Sequence, residues 1–191
     1  MLLLQAARYS SRSAEAAADP ADQAVAHMRA AQLLLQAVES ISPDVRSDPK
    51  EDPRGVLLCE AVSSARKALE VQQGSVPALC SLARCQMAAG MLNDSGASVS
   101  TAAAAIVARG GGDGGPGSQQ EEGAGGSSGL AGAELVEAEV VWRLHVELAQ
   151  RHRELGQVGN ALMLAAAVTL HTELSSAVYL DAAKVIEELQ K

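Results

Sequence analysis

The chain has 191 residues, a net charge of −8 and a pI near 5.0, a balance that argues against a general nucleic-acid or anionic-membrane surface. Hydrophobic residues make up 48 % of it, yet aromatics are only 2 % and Phe is absent, so much of the apolar content is alanine. Alanine is the best helix former and buries little area, so the composition predicts an all-α protein whose helices must approach closely.

Residues 1–18 read as a first helix that stops before Asp19-Pro20. The stretch carries Arg8, Arg12, Ser10, Ser11 and Ser13 with no acid before Glu15. An organelle transit segment has that character, whereas a solenoid helix would pack Leu2, Leu3 and Leu4 inward; both readings stand. A second helix follows from Pro20 to Ser40, with an apolar face predicted at Ala24, Met28, Ala31, Leu35 and Val38. From Ile41 to Arg54 the chain holds Pro43, Pro49, Pro53 and a run of charges, and reads as a loop.

The third helix is predicted over about Gly55–Gln73, with Gly74 as its C-cap, and the fourth from near Pro77 to Gly90. A fifth starts near Asp94 or Ser95 and stops at the glycines from Gly110. Residues 110–129 are rich in Gly and Ser and cannot bury enough surface to order themselves, so they read as a flexible insertion. Helices resume near Gly132 and run to Leu155-Gly156, then over about Val158–His171 and Leu174–Gln190, making about eight in all. None holds the roughly 18–20 consecutive apolar residues a membrane span requires.

Two stretches repeat each other. Gly90 follows Leu82-Ala83, and Gly156 follows Leu148-Ala149, each eight residues after the Leu. In this register Leu79, Leu82, Ala83 and Gln86 match His145, Leu148, Ala149 and His152, and the last helix offers Tyr179, Ala182, Ala183 and Ile186. Second-helix positions are Ala61, Ala65 and Ala68, then Ser95, Val99 and Ala102, then Ala161, Ala165 and Val168. Ala68 stands 14 residues before Leu82, and Val168 stands 14 before Ala182.

On these positions the chain resembles the tetratricopeptide family, whose unit is a pair of antiparallel helices. The resemblance covers residues 55–108 and 138–190, and departs from the family in replacing its bulky aromatics by Leu, His, Gln and Ala. It implies an all-α antiparallel helix-hairpin array; another α–α bundle is the alternative. The chain then divides into N-terminal helices and loop at 1–54, repeat-like helices at 55–108, the insertion at 109–130, and repeat-like helices with a capping helix at 131–191.

Tetratricopeptide arrays hold a peptide or partner helix in a groove lined by their first helices. By register, that implies groove positions at Cys80, Arg84 and Met87, then Arg143, Val146, Gln150 and Arg153, then Leu180 and Lys184. The set is mildly basic inside an acidic chain, which suits an acidic or amphipathic helical partner segment. No Asn stands there, unlike the family's receptors for a terminal carboxylate.

Chemistry has little support. Cys80 and Cys85 are five residues apart and Cys59 is distant, so they form neither a zinc pair nor a disulfide framework, and they read as small buried residues in a reducing compartment. His145 and His152 lack the i,i+4 spacing with an intervening Glu that a helical metal site uses, and they occupy repeat positions normally filled by packing aromatics. The glycine run at 110–115 lacks the Lys-Ser/Thr of a phosphate loop. The expectation is a cytoplasmic protein-interaction scaffold or adaptor without cofactor or catalysis, a subunit of a larger assembly. The alternatives are a free-standing peptide receptor, a fragment of a longer repeat protein, and an organelle-targeted chain.

Overall fold

A computed structural model describes residues 2–41, 52–110, 132–170 and 176–190. Residues 111–130 of the insertion predicted at 109–130, most of the predicted loop with Pro43 and Pro49, and the predicted helix ends at His171 and Leu174 lie outside them, while Arg109 and Gly110 close helix α5 and do not belong to the insertion. The described residues form eight helices and no strand: α1 Leu2–Ala16, α2 Pro20–Glu39, α3 Pro53–Val71, α4 Val76–Ala88, α5 Leu92–Gly110, α6 Gly132–Glu154, α7 Val158–Thr169 and α8 Ser176–Leu189. The protein is all-α. No described helix is long and apolar enough to cross a membrane.

Local chemistry explains the boundaries. An Asp-Pro pair opens both α2 and α3: the Asp19 carboxylate accepts from the Ala21 N–H at 2.8 Å, and Asp52 accepts from the Arg54 N–H at 3.0 Å. In each case the proline takes a first helical position, where its missing N–H costs nothing. α3 therefore starts at Pro53, two residues before the predicted Gly55, and Pro53 and Arg54 leave the predicted loop.

The repeated glycines end helices in the same way. Gly90 (φ +75°) and Gly156 (φ +71°) adopt the left-handed conformation that other residues rarely take. The Met91 N–H donates to the Gln86 carbonyl and the Gly90 N–H to Met87, at 2.8 and 3.1 Å. After α6 the Gln157 N–H donates to His152 and the Gly156 N–H to Arg153, both at 2.8 Å. These are paired Schellman turns, which satisfy the last carbonyls while reversing the chain. The Leu-Ala-x6-Gly repeat is thus one structural unit used twice.

Each helix packs on the next, and the even-numbered helices also pack on one another, α2 on α4, α4 on α6 and α6 on α8. Alanine makes the close crossings possible. Ala61, Ala65, Ala68, Ser95, Ala102, Ala161, Ala165 and Val168 are fully buried, and Val99 is 1 % exposed, so all nine second-helix repeat positions lie inside. Leu79, Leu82, Ala83, Gln86, His145, Leu148, Ala149 and His152 are buried too. Tyr179 departs from the register at 46 % exposure, because α8 buries Val178, Ala182 and Val185 instead.

Two apolar clusters share α4. Leu82 and Cys85 face α2 and α3 with Leu34, Val38, Leu57 and Ala61. Leu79, Cys80 and Ala83 face the other way, into a larger cluster with Trp142, Leu144, Leu148, Leu164 and Val185. In α2 the buried stripe is Ala24, His27, Ala31, Leu34 and Val38; the predicted Met28 and Leu35 are displaced to its edge, only partly buried. α1 lies on α2 through Ala7, Ser10 and Ala14, and the Ser10 hydroxyl donates to the Ala26 carbonyl at 2.8 Å. Leu2 is 82 % exposed, so of the three leucines only Leu3 and Leu4 pack inward.

Candidate protein-interaction groove

The even-numbered helices leave a groove of about 260 Å³ where α2, α4 and α6 meet. α2 supplies Met28, Gln32 and Leu35, α4 supplies Pro77, Cys80, Ser81 and Arg84, and α6 supplies Val140. Met28 and Leu35 point there because the α2 core stripe runs one residue earlier, through His27 and Leu34. The walls are mainly apolar, with Gln32 and Ser81 as the neutral polar residues and Arg84 as the one charged side chain in the lining.

The predicted groove residues differ in what surrounds them. Arg84 is exposed at the groove, and none of the ion pairs among the described residues involves it. Arg143 pairs with Glu139 one turn earlier at 2.6 Å, Lys184 with Asp181 at 3.4 Å, and Arg153 with Glu188 across α6 and α8. The mildly basic character expected of the set is therefore largely neutralised outside Arg84. Gln150 is exposed, and Leu180 is 57 % exposed. Met87 is half-buried against the larger cluster. Val146 and Cys80 are each only 6 % exposed: Val146 belongs to the core, and Cys80 joins the core to the groove floor. Sequence reasoning missed Gln32, Pro77, Ser81 and Val140 as groove residues, and took Met28 and Leu35 for core. The signal available was the second apolar column on α2, one residue beyond the core column.

Buried chemistry-bearing groups are committed internally. Burial pushes the Cys80 thiol up to about 11, with Glu137 adding to the shift and Arg84 opposing it. Burial pushes Cys85 up to about 12, again against Arg84. Both thiols stay protonated near neutrality and are poor nucleophiles. Cys59 is exposed. The His145 Nδ1 lies 3.1 Å from the Val141 carbonyl and its ring stacks on Trp142 with centroids 4.8 Å apart. The His152 Nδ1 bonds the Gln157 side chain at the turn into α7. Gln86, at the matching position in α4, accepts from the Ser98 hydroxyl at 2.8 Å, and the Ser95 hydroxyl donates to the Ala83 carbonyl at 2.9 Å. Among the described residues no three His, Cys, Asp or Glu side chains converge to hold a metal ion.

A second, more polar hollow of about 390 Å³ lies between α1, α2 and α3. Arg8, Arg12 and Lys67 border it together with Glu15 and Glu60, so its charges nearly cancel.

No protein-family model, curated protein or solved structure matches this chain. The groove's own geometry is what bears on function.

Proposed function

We propose that this chain is a protein-interaction scaffold of tetratricopeptide-like architecture, holding a partner segment along the face of its even-numbered helices. The observation that carries the reading is the mainly apolar groove lined by α2, α4 and α6, with Arg84 at its edge and in no ion pair among the described residues. Support for the architecture comes from the order of packing, in which hairpins stack so that alternate helices touch. The repeated Schellman glycines and the buried small residues at matching positions support it as well.

A fitting partner is an amphipathic helix whose apolar side contacts Met28, Leu35 and Val140, with a carboxylate placed to meet Arg84. The proposal assigns no catalytic step. It places the chain in the cytoplasm, which three unbridged cysteines suit.

Affinity purification from native extract, comparing the natural chain with Arg84→Glu and Met28→Glu, tests this. A defined set of proteins recovered in near-equal amounts with the natural chain should fall at least tenfold with either variant. The same recovery with all three chains would place binding elsewhere, and recovery of the chain alone would remove the scaffold reading.

A further inference from the structure

The polar hollow between α1, α2 and α3 is walled by two matched helix faces. α1 contributes Arg8, Ser11, Arg12 and Glu15, and α3 contributes Glu60, Ser63, Ser64 and Lys67. Both sets follow the i, i+3, i+4, i+7 spacing that places side chains in one row along a helix. α1 and α3 each pack on α2, and the hollow of about 390 Å³ lies between them over a floor of Ala7 and Leu34.

The polar groups of both rows are uncommitted. No ion pair among the described residues involves Arg8, Arg12, Glu15, Glu60 or Lys67. The serine hydroxyls that donate hydrogen bonds among the described residues are those of Ser10, Ser40, Ser95 and Ser98, not those of Ser11, Ser63 or Ser64. Two rows of opposite charges that face each other without pairing leave space for something between them.

The order of charges says what that is. Glu15 near the end of α1, and Lys67 and Glu70 near the end of α3, all act on the charge of His27 in the first half of α2. Both helices therefore run antiparallel to α2 and parallel to each other. Glu60 opens the α3 row and Glu15 closes the α1 row, so the carboxylates stand at opposite ends with Arg12 and the serines between them. Arg8 and Arg12 lie one turn apart, with Lys67 on the facing wall. Such a set matches a phosphate monoester, which carries about two negative charges and three strong acceptor oxygens. The two carboxylates oppose a more highly charged polyphosphate, but they accept hydrogen bonds from hydroxyl groups, and so do the serines. Among the described residues no aromatic side chain lines the hollow, so a nucleobase finds no stacking surface.

We propose that this hollow binds a sugar phosphate. Arg8, Arg12 and Lys67 hold the phosphate, while Ser11, Ser63, Ser64 and the terminal carboxylates hold the sugar hydroxyls. The hollow shares no lining residue with the groove between α2, α4 and α6, so this site and the partner-binding reading fail separately.

Ligand-observed NMR on the full chain, with glucose-6-phosphate, glucose and inorganic phosphate each titrated to about 10 mM, a range suited to weak binding, tests this. Glucose-6-phosphate should bind most tightly, and glucose should not bind. Arg12→Ala and Lys67→Ala, both at exposed positions, should each weaken binding about tenfold, as loss of one charge-assisted hydrogen bond does, with an unchanged far-UV spectrum. Arg151→Ala, which removes an exposed cation from α6, should leave binding unchanged. Absence of glucose-6-phosphate binding overturns the proposal, as does binding that ignores both hollow variants or falls equally with Arg151→Ala. Inorganic phosphate binding as tightly as glucose-6-phosphate overturns the assignment of the hydroxyl contacts.

Discussion

The α4–α5 and α6–α7 hairpins are alike inside and unlike outside. Both first helices bury Leu-Ala at the same positions, and both end in a left-handed glycine with the same two hydrogen bonds. Both hide a polar side chain at the matching place and satisfy it, Gln86 through Ser98 and His152 through Gln157. Outward, α5 mixes Asn93, Asp94, Ser100 and Thr101 with exposed Val107, while α7 carries no charge. The inner positions are constrained by packing, which admits few residue types. The outer positions are not, so differences there report on what each hairpin meets.

If the two hairpins share one interior, equivalent substitutions should cost equivalent amounts. The largest effect is expected at the paired leucines. Leu148 is fully buried, with its Cδ2 at 3.6 Å from where a Cβ on Gly96 would lie, and Leu82 is 6 % exposed. Leu→Ala at either should destabilise by about 3 kcal/mol through lost burial and the cavity left behind, read from denaturant midpoints. A cost at Leu82 below about 1 kcal/mol would break the equivalence.

The glycines make a finer comparison. At Gly90 and Gly156 an added Cβ meets nothing within 4 Å, so only the backbone conformation opposes it. Gly→Ala should cost about 1 kcal/mol at each site, with the two values agreeing to within roughly 0.5 kcal/mol. Unequal costs would show that one turn is held mainly by its surroundings.

The smallest effect separates the hairpins from the N-terminal helices. His145 and His152 have hydrogen-bonding partners, whereas His27 is buried with no partner for its Nδ1 among the described residues. Burial holds the His27 pKa below its ordinary 6.5; Lys67 on α3 lowers it further, and Glu15 on α1 and Glu70 on α3 partly oppose this. The folded chain thus keeps His27 neutral while the unfolded chain takes up a proton below 6.5. His27 stability is present above that pH and is lost as pH falls from 6.5 toward the lower folded value. Urea midpoints measured from pH 8 to 5 should fall in that window, and His27→Leu should flatten the slope. An unchanged slope in the variant would assign the pH dependence to other groups.

Much of this was legible in the chain itself. Alanine content and three- and four-residue periodicity specify helices, because each position's contribution is local. Asp-Pro pairs and spaced glycines mark where helices start and stop, since capping is settled within a few residues. The Leu-Ala-x6-Gly repeat exposed the equivalence of two hairpins before any packing was known, and its positions are buried in both. The hollow between α2, α4 and α6 was legible only in part. Arg84, placed on this face by register, lines it, but Met28 and Leu35 were taken for the apolar face that packs inward, because a helix with two adjacent apolar columns does not say which one its neighbours cover.

Tertiary structure decided that choice. α3 takes the His27–Leu34 column of α2, leaving Met28 and Leu35 to face α4 and α6. It also decided that Arg143, Arg153 and Lys184 meet carboxylates while, among the described residues, Arg84 does not. The sequence by itself determined the helices, their ends and the repeated interior, because those depend on propensity, caps and the size of side chains at close crossings. Which polar groups find partners and which apolar columns stay open depend on distances between helices far apart in the chain, and only the packed structure sets those distances.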